Sequence, residues 1–174
     1  MRSPTGPHEE ERLRALMDTG ILVAPLDPVL NAICQEAQHH FEVPISLVTL
    51  VDRQKLWVKA AQGLCLSDMP RDVAFCTYTV LSDDVFVISD MLADERFKDN
   101  PLVTGEPHLR FYAGAPLTYL KNMRLGSLCL LDTKPRTFSR GDKAELLEMA
   151  DRVVAQIASQ ELNALNPLTH SFHH

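Results

Sequence analysis

The sequence predicts an α+β domain: a central, mostly antiparallel sheet of about five to six strands, with the terminal helices packed on one face. Three observations carry this. Helical periodicity is confined to the two ends of the chain, before residue 42 and after residue 139. Between them lie apolar, β-branched runs of strand length, several of them joined by short turns as hairpins are. A long irregular stretch from about Gly63 to His108 interrupts those runs, and it must cover the face that the helices leave open.

Each element has its own warrant. Residues 9–18 read as a short helix with Leu13, Leu16 and Met17 on one side and Gly20 placed to stop it. In "PLDPVLNAICQEAQHHF", Asp27 is an N-cap and Pro28 takes the first helical position. Leu30, Ile33, Cys34, Ala37 and Phe41 then recur at three- and four-residue spacing, until Pro44 ends the run. "ISLVTLVD" (45–52) is apolar almost throughout, the mark of a strand covered on both faces, and "QKLWVKAAQG" (54–63) pairs with it around Asp52-Arg53. "DVAFCTYTVL" (72–81) is compatible with helix or strand, and "DVFVISD" (84–90) is a short strand. A polar connection follows, broken by Pro101 and Pro107. It opens into a strand over 110–120 whose centre, Ala113-Gly114-Ala115, is almost free of side chain. After a turn at Lys121-Asn122, "RLGSLCLLD" (124–132) is a further strand. Ser139 and Asp142 resemble a capping box for the last helix, whose stripe is Leu146, Ala150, Val153 and Ile157, with Leu147, Val154 and Ala158 beside it. That helix is expected to end near Asn163, before Pro167. The organisation is therefore a disordered segment over 1–8, one domain over 9–162, and a linker or tail over 163–174.

Composition excludes several classes. The 174 residues are 45% hydrophobic and 23% charged, enough for one domain with a sizeable core. The net charge of −6, with no basic stripe, argues against a nucleic-acid partner. No apolar run approaches the roughly 18 residues needed to span a bilayer. The polar, acidic opening "MRSPTGPHEEERLR" is not a secretory signal, so a cytoplasmic location is expected. Cys34, Cys65, Cys76 and Cys129 lie far apart with no CxxC, as reduced and mostly buried thiols do. His39 and His40 are adjacent on a helix and point in different directions, so no metal site is expected.

"RDVAFC" (71–76), "ISDMLADERFKDNPLV" (88–103), "RFYAGAPL" (110–117) and "LGSLCLLD" (125–132) resemble a GAF domain. The lead-in "EERLRALMDTGIL" and "VPISLVTLVDRQKLWVKAAQGL" narrow this to the group at the N-termini of bacterial sensor histidine kinases, diguanylate cyclases and related signalling proteins. The resemblance covers about residues 10–158. It implies a PAS-related fold, with loops and short helices wrapping a small-molecule pocket on the face opposite the terminal helices. Within it, the polar connection covers the pocket, and Ala113 to Ala115 leave space beside the sheet. The same small residues are equally expected if they only let a neighbouring segment pack closely. Where this group commonly has Ala-His after Phe75-Cys76, this chain has Thr77-Tyr78. The asparagine-lysine-phenylalanine-aspartate motif of cyclic-nucleotide-binding GAF domains and the Cys-His of bilin attachment are both missing, so neither ligand is expected.

The candidate ligand-binding residues are Arg71, Phe75, Cys76, Tyr78, Asp90, Arg110, Tyr112 and Gly114. Arg71 and Arg110 flank the pocket segments and suit a carboxylate or phosphate; paired with Asp68, Asp72, Asp90 or Asp94 they are structural instead. Phe75, Tyr78, Phe111 and Tyr112 form an aromatic wall or simply core. Cys76 is a reactive thiol in the pocket wall or a buried, inert one. No cofactor is identifiable.

The function implied by the resemblance is a non-catalytic sensory module. It binds an unknown small molecule and passes a conformational change through its terminal helices, in a homodimer, to an output domain (kinase or GGDEF cyclase) in cis or in trans. The alternatives are a ligand-free dimerisation domain and a Cys-dependent enzyme similar to free methionine-(R)-sulfoxide reductase. The tail "NALNPLTHSFHH" faintly resembles the opening of a GGDEF cyclase domain at Leu168-Thr169.

Overall fold

The computed structural model describes residues 5–63 and 68–165. Two helices open it. Helix α1 (Glu9–Asp18) places three glutamates in its first turn, where the helix dipole favours them, and buries Arg12, Leu13 and Leu16. Helix α2 (Pro28–Phe41) begins with the Asp27 side chain accepting from the Val29 N–H at 2.8 Å, and Glu42 closes it at φ 53°. Strands β1 (Ile45–Val51) and β2 (Lys55–Gln62) form the hairpin expected at Asp52-Arg53. After β3 (Met69–Pro70), a 3-10 turn at Arg71–Val73 leads to the single helical turn α3 (Cys76–Thr79). Strand β4 (Phe86–Ile88), a 3-10 turn at Met91–Ala93 and the short helix α4 (Pro101–Thr104) lead to β5 (Phe111–Tyr119) and β6 (Met123–Asp132). Helix α5 (Arg140–Leu165) closes the described chain. Its capping box is reciprocal: the Ser139 N–H donates to Asp142 Oδ2 at 2.9 Å, and the Asp142 N–H donates to Ser139 Oγ at 3.0 Å.

The six strands run β3-β2-β1-β6-β5-β4, each neighbouring pair antiparallel. This is the expected α+β architecture, with local differences. Residues 72–81 contain no strand; they form the 3-10 turn and α3. Strand β3, which pairs with β2, has no counterpart in the sequence pattern because two residues are too few to show alternation. Strand β4 is shorter than 84–90 because side-chain turns take both flanks: Ser82 Oγ accepts from the Asp84 N–H and Asp90 Oδ1 from the Leu92 N–H. Helix α5 runs two residues past its expected end. Residues 1–4 and 166–174, with the expected GGDEF-like tail, lie outside the described residues, as does Cys65.

The pleat divides the core in two. Val48 and Leu50 of β1, Ala113 and Ala115 of β5, and Leu128 and Leu130 of β6 face the helices. There they meet Leu16, Ile33, Ala37, Leu146, Ala150, Val153 and Ile157. Leu47, Val51, Tyr112, Cys129 and Leu131 face the other way, toward residues 71–109. Helices α2 and α5 are tied together by ion pairs of Arg152 with Glu36 and His40 with Glu145, and by the Gln156 amide donating to Asp27 at 2.7 Å.

Candidate functional site

The face opposite the helices is where the candidate residues gather. Period-two alternation brings Thr49, Tyr112, Gly114, Ser127 and Cys129 onto it, because Thr49 pairs with Ser127 and Gly114 with Cys129 across the ladders. Helix α3 lies against this surface and delivers Cys76 and Thr79. The result is a buried polar cluster inside an apolar layer. Tyr112 leans along its own strand over Gly114, and its hydroxyl lies 2.7 Å from Thr79 Oγ1, 3.2 Å from Ser127 Oγ and 3.2 Å from Cys76 Sγ, to which it donates. Thr49 Oγ1 donates to Cys76 Sγ at 3.1 Å, and Cys76 Sγ lies 3.9 Å from Cys129 Sγ. A Cβ on Gly114 would stand 2.2 Å from the Tyr112 hydroxyl and 2.8 Å from Thr79 Oγ1. The small residues therefore serve both faces. Ala113 and Ala115 sit under the helices, while Gly114 makes room for the Tyr112 hydroxyl.

This cluster biases the two thiols in opposite directions. Burial opposes ionisation of Cys76, but its hydrogen bonds with Cys129, Thr49, Tyr112 and Ser127 outweigh it and pull its pKa down. Cys129 is pushed up, first by the bond it makes to Cys76 and then by burial. Tyr112 is also raised, mainly by burial and then by the charge at Cys76. Cys34, on the helix side, is pushed up to about 12 by burial.

Around the cluster the segments close tightly. The polar connection carries buried apolar residues at intervals, Met91, Phe97, Val103 and Leu109, and these fill the space above the sheet. Phe97 packs edge-on to Phe75 and Tyr78, with ring centroids 5.4 and 5.0 Å apart, and Tyr78 stacks on Phe86 at 5.7 Å. Arg96, held by Asp94 at 2.8 Å, lies over Tyr78, Phe86 and Phe97 at 5.0 to 5.7 Å. Asn100 caps α4 and donates from its amide to Val73 O at 3.2 Å, joining the connection to the 3-10 turn. Cavities of about 450 and 580 Å³ lie elsewhere, against α1 and the β5–β6 turn. The first is lined by Arg12, Leu81 and Arg124 among others, the second by Arg14, Tyr119, Leu120 and Glu161; neither contains any of the eight candidate residues. Among the described residues no group of three or more His, Cys, Asp or Glu could hold a metal ion. No described helix is long and apolar enough to cross a membrane.

The structure thus brings five of the eight candidates to one layer: Phe75, Cys76, Tyr78, Tyr112 and Gly114. It places the other three in supporting positions. Asp90 caps the turn at Met91–Ala93. Arg110 donates to the carbonyls of Val103 and Leu109 at 3.0 and 2.9 Å. Arg71 is 1% exposed. It bonds Glu9 of α1, at 2.6 Å, and the carbonyls of Asp52 and Arg53. Glu9 also accepts from Arg12, and although burial pushes its carboxyl up, the bonds to Arg12 and Arg71 bring it down to about 2. Sequence reasoning missed Thr49, Thr79 and Ser127, and took Cys129 only as a reduced, buried thiol. The available signal was the hydroxyls set in two otherwise apolar buried strands, Thr49 in β1 and Ser127 in β6, since buried hydroxyls need partners.

With the geometry in view, three comparisons bear on the chain. The GAF domain family matches residues 25–161. A cyclic di-GMP phosphodiesterase of Pseudomonas aeruginosa is 40% identical over 159 residues, which are 90% of this chain and 27% of that protein. The chain therefore spans about a quarter of the length of that curated relative. Among solved structures, the GAF domain of a phosphoenolpyruvate-protein phosphotransferase from Coxiella burnetii superposes with a TM-score of 0.66 at 16% identity, covering 90% of this chain and 96% of that one. A domain of a two-component sensor histidine kinase from Sinorhizobium meliloti gives 0.61 at 13% identity, covering 80% and 96%. The free methionine-R-sulfoxide reductase of Neisseria meningitidis, in complex with its substrate, gives 0.63 at 15% identity, covering 94% and 98%. At these identities the structures share the fold alone.

Proposed function

This chain belongs to the GAF domain family, and on that premise we propose that it is the non-catalytic sensory module of a bacterial signal-transduction protein. The observation that carries this reading is the 40% identity to a segment occupying 27% of a cyclic di-GMP phosphodiesterase. A module of this size within a larger protein is suited to regulating an output domain joined to it. The relative directs the choice of output toward the breakdown of cyclic di-GMP, in place of the kinase or cyclase that the sequence motifs suggest. The module works in the cytoplasm, where that nucleotide is turned over.

The ligand in this reading is a small molecule admitted between the sheet and residues 71–112. Phe75, Cys76, Tyr78, Tyr112 and Gly114 form the responsive layer, and Arg71, Asp90 and Arg110 hold the segments that cover it. Because that layer is closed, a ligand must displace the buried residues of the polar connection, and it acts by favouring an opened state over the packed one. Opening disturbs Arg71, and through Arg71 it disturbs Glu9 on α1. The change then passes along α1 and α5 in a homodimer. Support for the dimer comes from the groove between α1, the β5–β6 turn and α5, lined in part by exposed Leu120, with exposed Met17 on α1 and Leu162 on α5.

Native mass spectrometry of the chain purified from cells tests the reading. A bound small molecule, lost when Phe97 or Tyr112 is replaced, supports it. Ligand-free protein across growth conditions argues for a dimerisation domain. An enzymatic reading has one observation in its favour, the contact of Cys76 with Cys129 on a fold shared with methionine sulfoxide reductases. Reduction of free methionine sulfoxide by the chain, abolished by Cys76→Ser, would establish it.

A further inference from the structure

We propose that Cys76 and Cys129 are a redox-active dithiol, which a small hydroperoxide converts to an intramolecular disulfide inside the closed layer. The inference stands on geometry and does not depend on any ligand.

The two Sγ atoms are in direct contact range, 3.9 Å apart. A disulfide requires closure by about 2 Å. The two residues are held unequally. Cys129 is fixed in β6, paired with Leu47 on one side and Gly114 on the other. Cys76 begins a single helical turn outside the ladders and so can make most of the movement. Cys76 Sγ is the atom that attacks the oxidant. It accepts hydrogen bonds from Thr49 and Tyr112, and these favour the thiolate.

The chemistry balances in two steps. The Cys76 sulfur attacks the terminal, hydroxyl-bearing oxygen of ROOH; the O–O bond breaks and an S–O bond forms. The thiol proton goes to the leaving alkoxide, giving Cys76–SOH and ROH. Cys129 sulfur then attacks the sulfenic sulfur, the S–O bond breaks, and the S–S bond forms with loss of water. Sulfur gives up two electrons and the peroxide takes them. Cys76 is only 3% exposed, which restricts the oxidant to the smallest hydroperoxides and makes the first step depend on transient opening of α3. The product has an outlet through the fold. Thr77 Oγ1 donates to the Arg71 carbonyl at 2.9 Å, and Arg71 grips Glu9, so drawing α3 toward the sheet pulls on α1.

The experiment uses the whole chain, reduced, exposed to hydrogen peroxide, alkylated and mapped by peptide mass spectrometry. The expected result is a Cys76–Cys129 linked peptide that dithiothreitol removes, with Cys34 unlinked throughout. In Cys129→Ser, dimedone should label Cys76. The inference is overturned if Cys76 and Cys129 remain alkylatable after peroxide treatment, or if Cys76 links to a different cysteine. It is equally overturned if Cys129→Ser with a native circular dichroism spectrum takes no dimedone at Cys76. Should that variant not fold, the map of the wild-type chain decides alone.

Discussion

Replacing Gly114 with alanine tests whether the layer over the sheet is closed. The added methyl would stand 2.2 Å from the Tyr112 hydroxyl oxygen, 2.7 Å from its ring carbon and 2.8 Å from Thr79 Oγ1. These neighbours cannot swing away freely, because Tyr112 is 1% exposed and bonded to Thr79, Cys76 and Ser127. Overpacking a dense core costs about 1–3 kcal/mol. Displacing the hydroxyl leaves buried groups short of a partner, at about 1 kcal/mol or more. The sum, about 3 kcal/mol, is a large fraction of the roughly 5–15 kcal/mol expected for a domain. Urea denaturation followed by circular dichroism measures it directly. The sharper form is a double-mutant cycle with Tyr112→Phe, which removes the atom at 2.2 Å and leaves the one at 2.7 Å. In that background Gly114→Ala should cost less by about 1 kcal/mol or more. A Gly114→Ala variant within about 0.5 kcal/mol of wild type, or strict additivity in the cycle, would refute the closed packing. Either would mean that the face is open in solution.

Three further outcomes follow from the same structure. Glu9 has a folded pKa lowered to about 2, so its contribution is full above its ordinary value of 4.5 and is lost as pH falls toward 2. The full shift corresponds to about 3 kcal/mol, and the carboxylate's open edge reduces this to about 1–2 kcal/mol. Glu9→Gln should therefore be less stable by that amount at pH 7, with the gap closing between pH 4.5 and 2 in chemical denaturation series; a gap independent of pH contradicts the ion-pair account. Phe97→Ala should cost about 3–5 kcal/mol by opening a void beneath the polar connection, read as a fall in the urea midpoint; a fall below about 1 kcal/mol would show that Phe97 is not packed as described. Light scattering at tens of micromolar, roughly where a modest interface shows, should give a dimer that Leu162→Asp or Leu120→Asp weakens; a wild-type monomer removes the proposed route of transmission.

The frame of the molecule was legible because it rests on periodicity. The stripe Leu146, Ala150, Val153, Ile157 and the cap at Asp27-Pro28 carry their geometry within a few residues, and the structure places them as their spacing implies. What was not legible depends on contacts distant in sequence. Nothing near Arg71 announces its bond to Glu9, 62 residues earlier. The polar connection is crowded with charge, so the four apolar residues that fill the layer below it read as incidental until the fold puts them on one side. Residues 72–81 mix aromatic and β-branched side chains, and only the packing of Cys76 and Thr79 against the sheet selects a helical turn. Tyr112, Gly114 and Cys76 were singled out for a pocket. The structure joins them through a hydroxyl and a pair of thiols, with Thr49 and Ser127 supplied by strands that read as almost wholly apolar.

The most direct measurement is cyclic di-GMP hydrolysis by a hybrid protein, in which this chain replaces the matching segment of the Pseudomonas aeruginosa phosphodiesterase. Three further hybrids carry Glu9→Gln, Phe97→Ala, or no segment at all. A sensory module coupled through Arg71, Glu9 and α1 predicts that the hybrid hydrolyses the nucleotide and that each perturbation changes the rate several-fold. Equal rates in all four proteins would contradict it, because a segment that can be altered or removed without effect does not regulate the domain beside it.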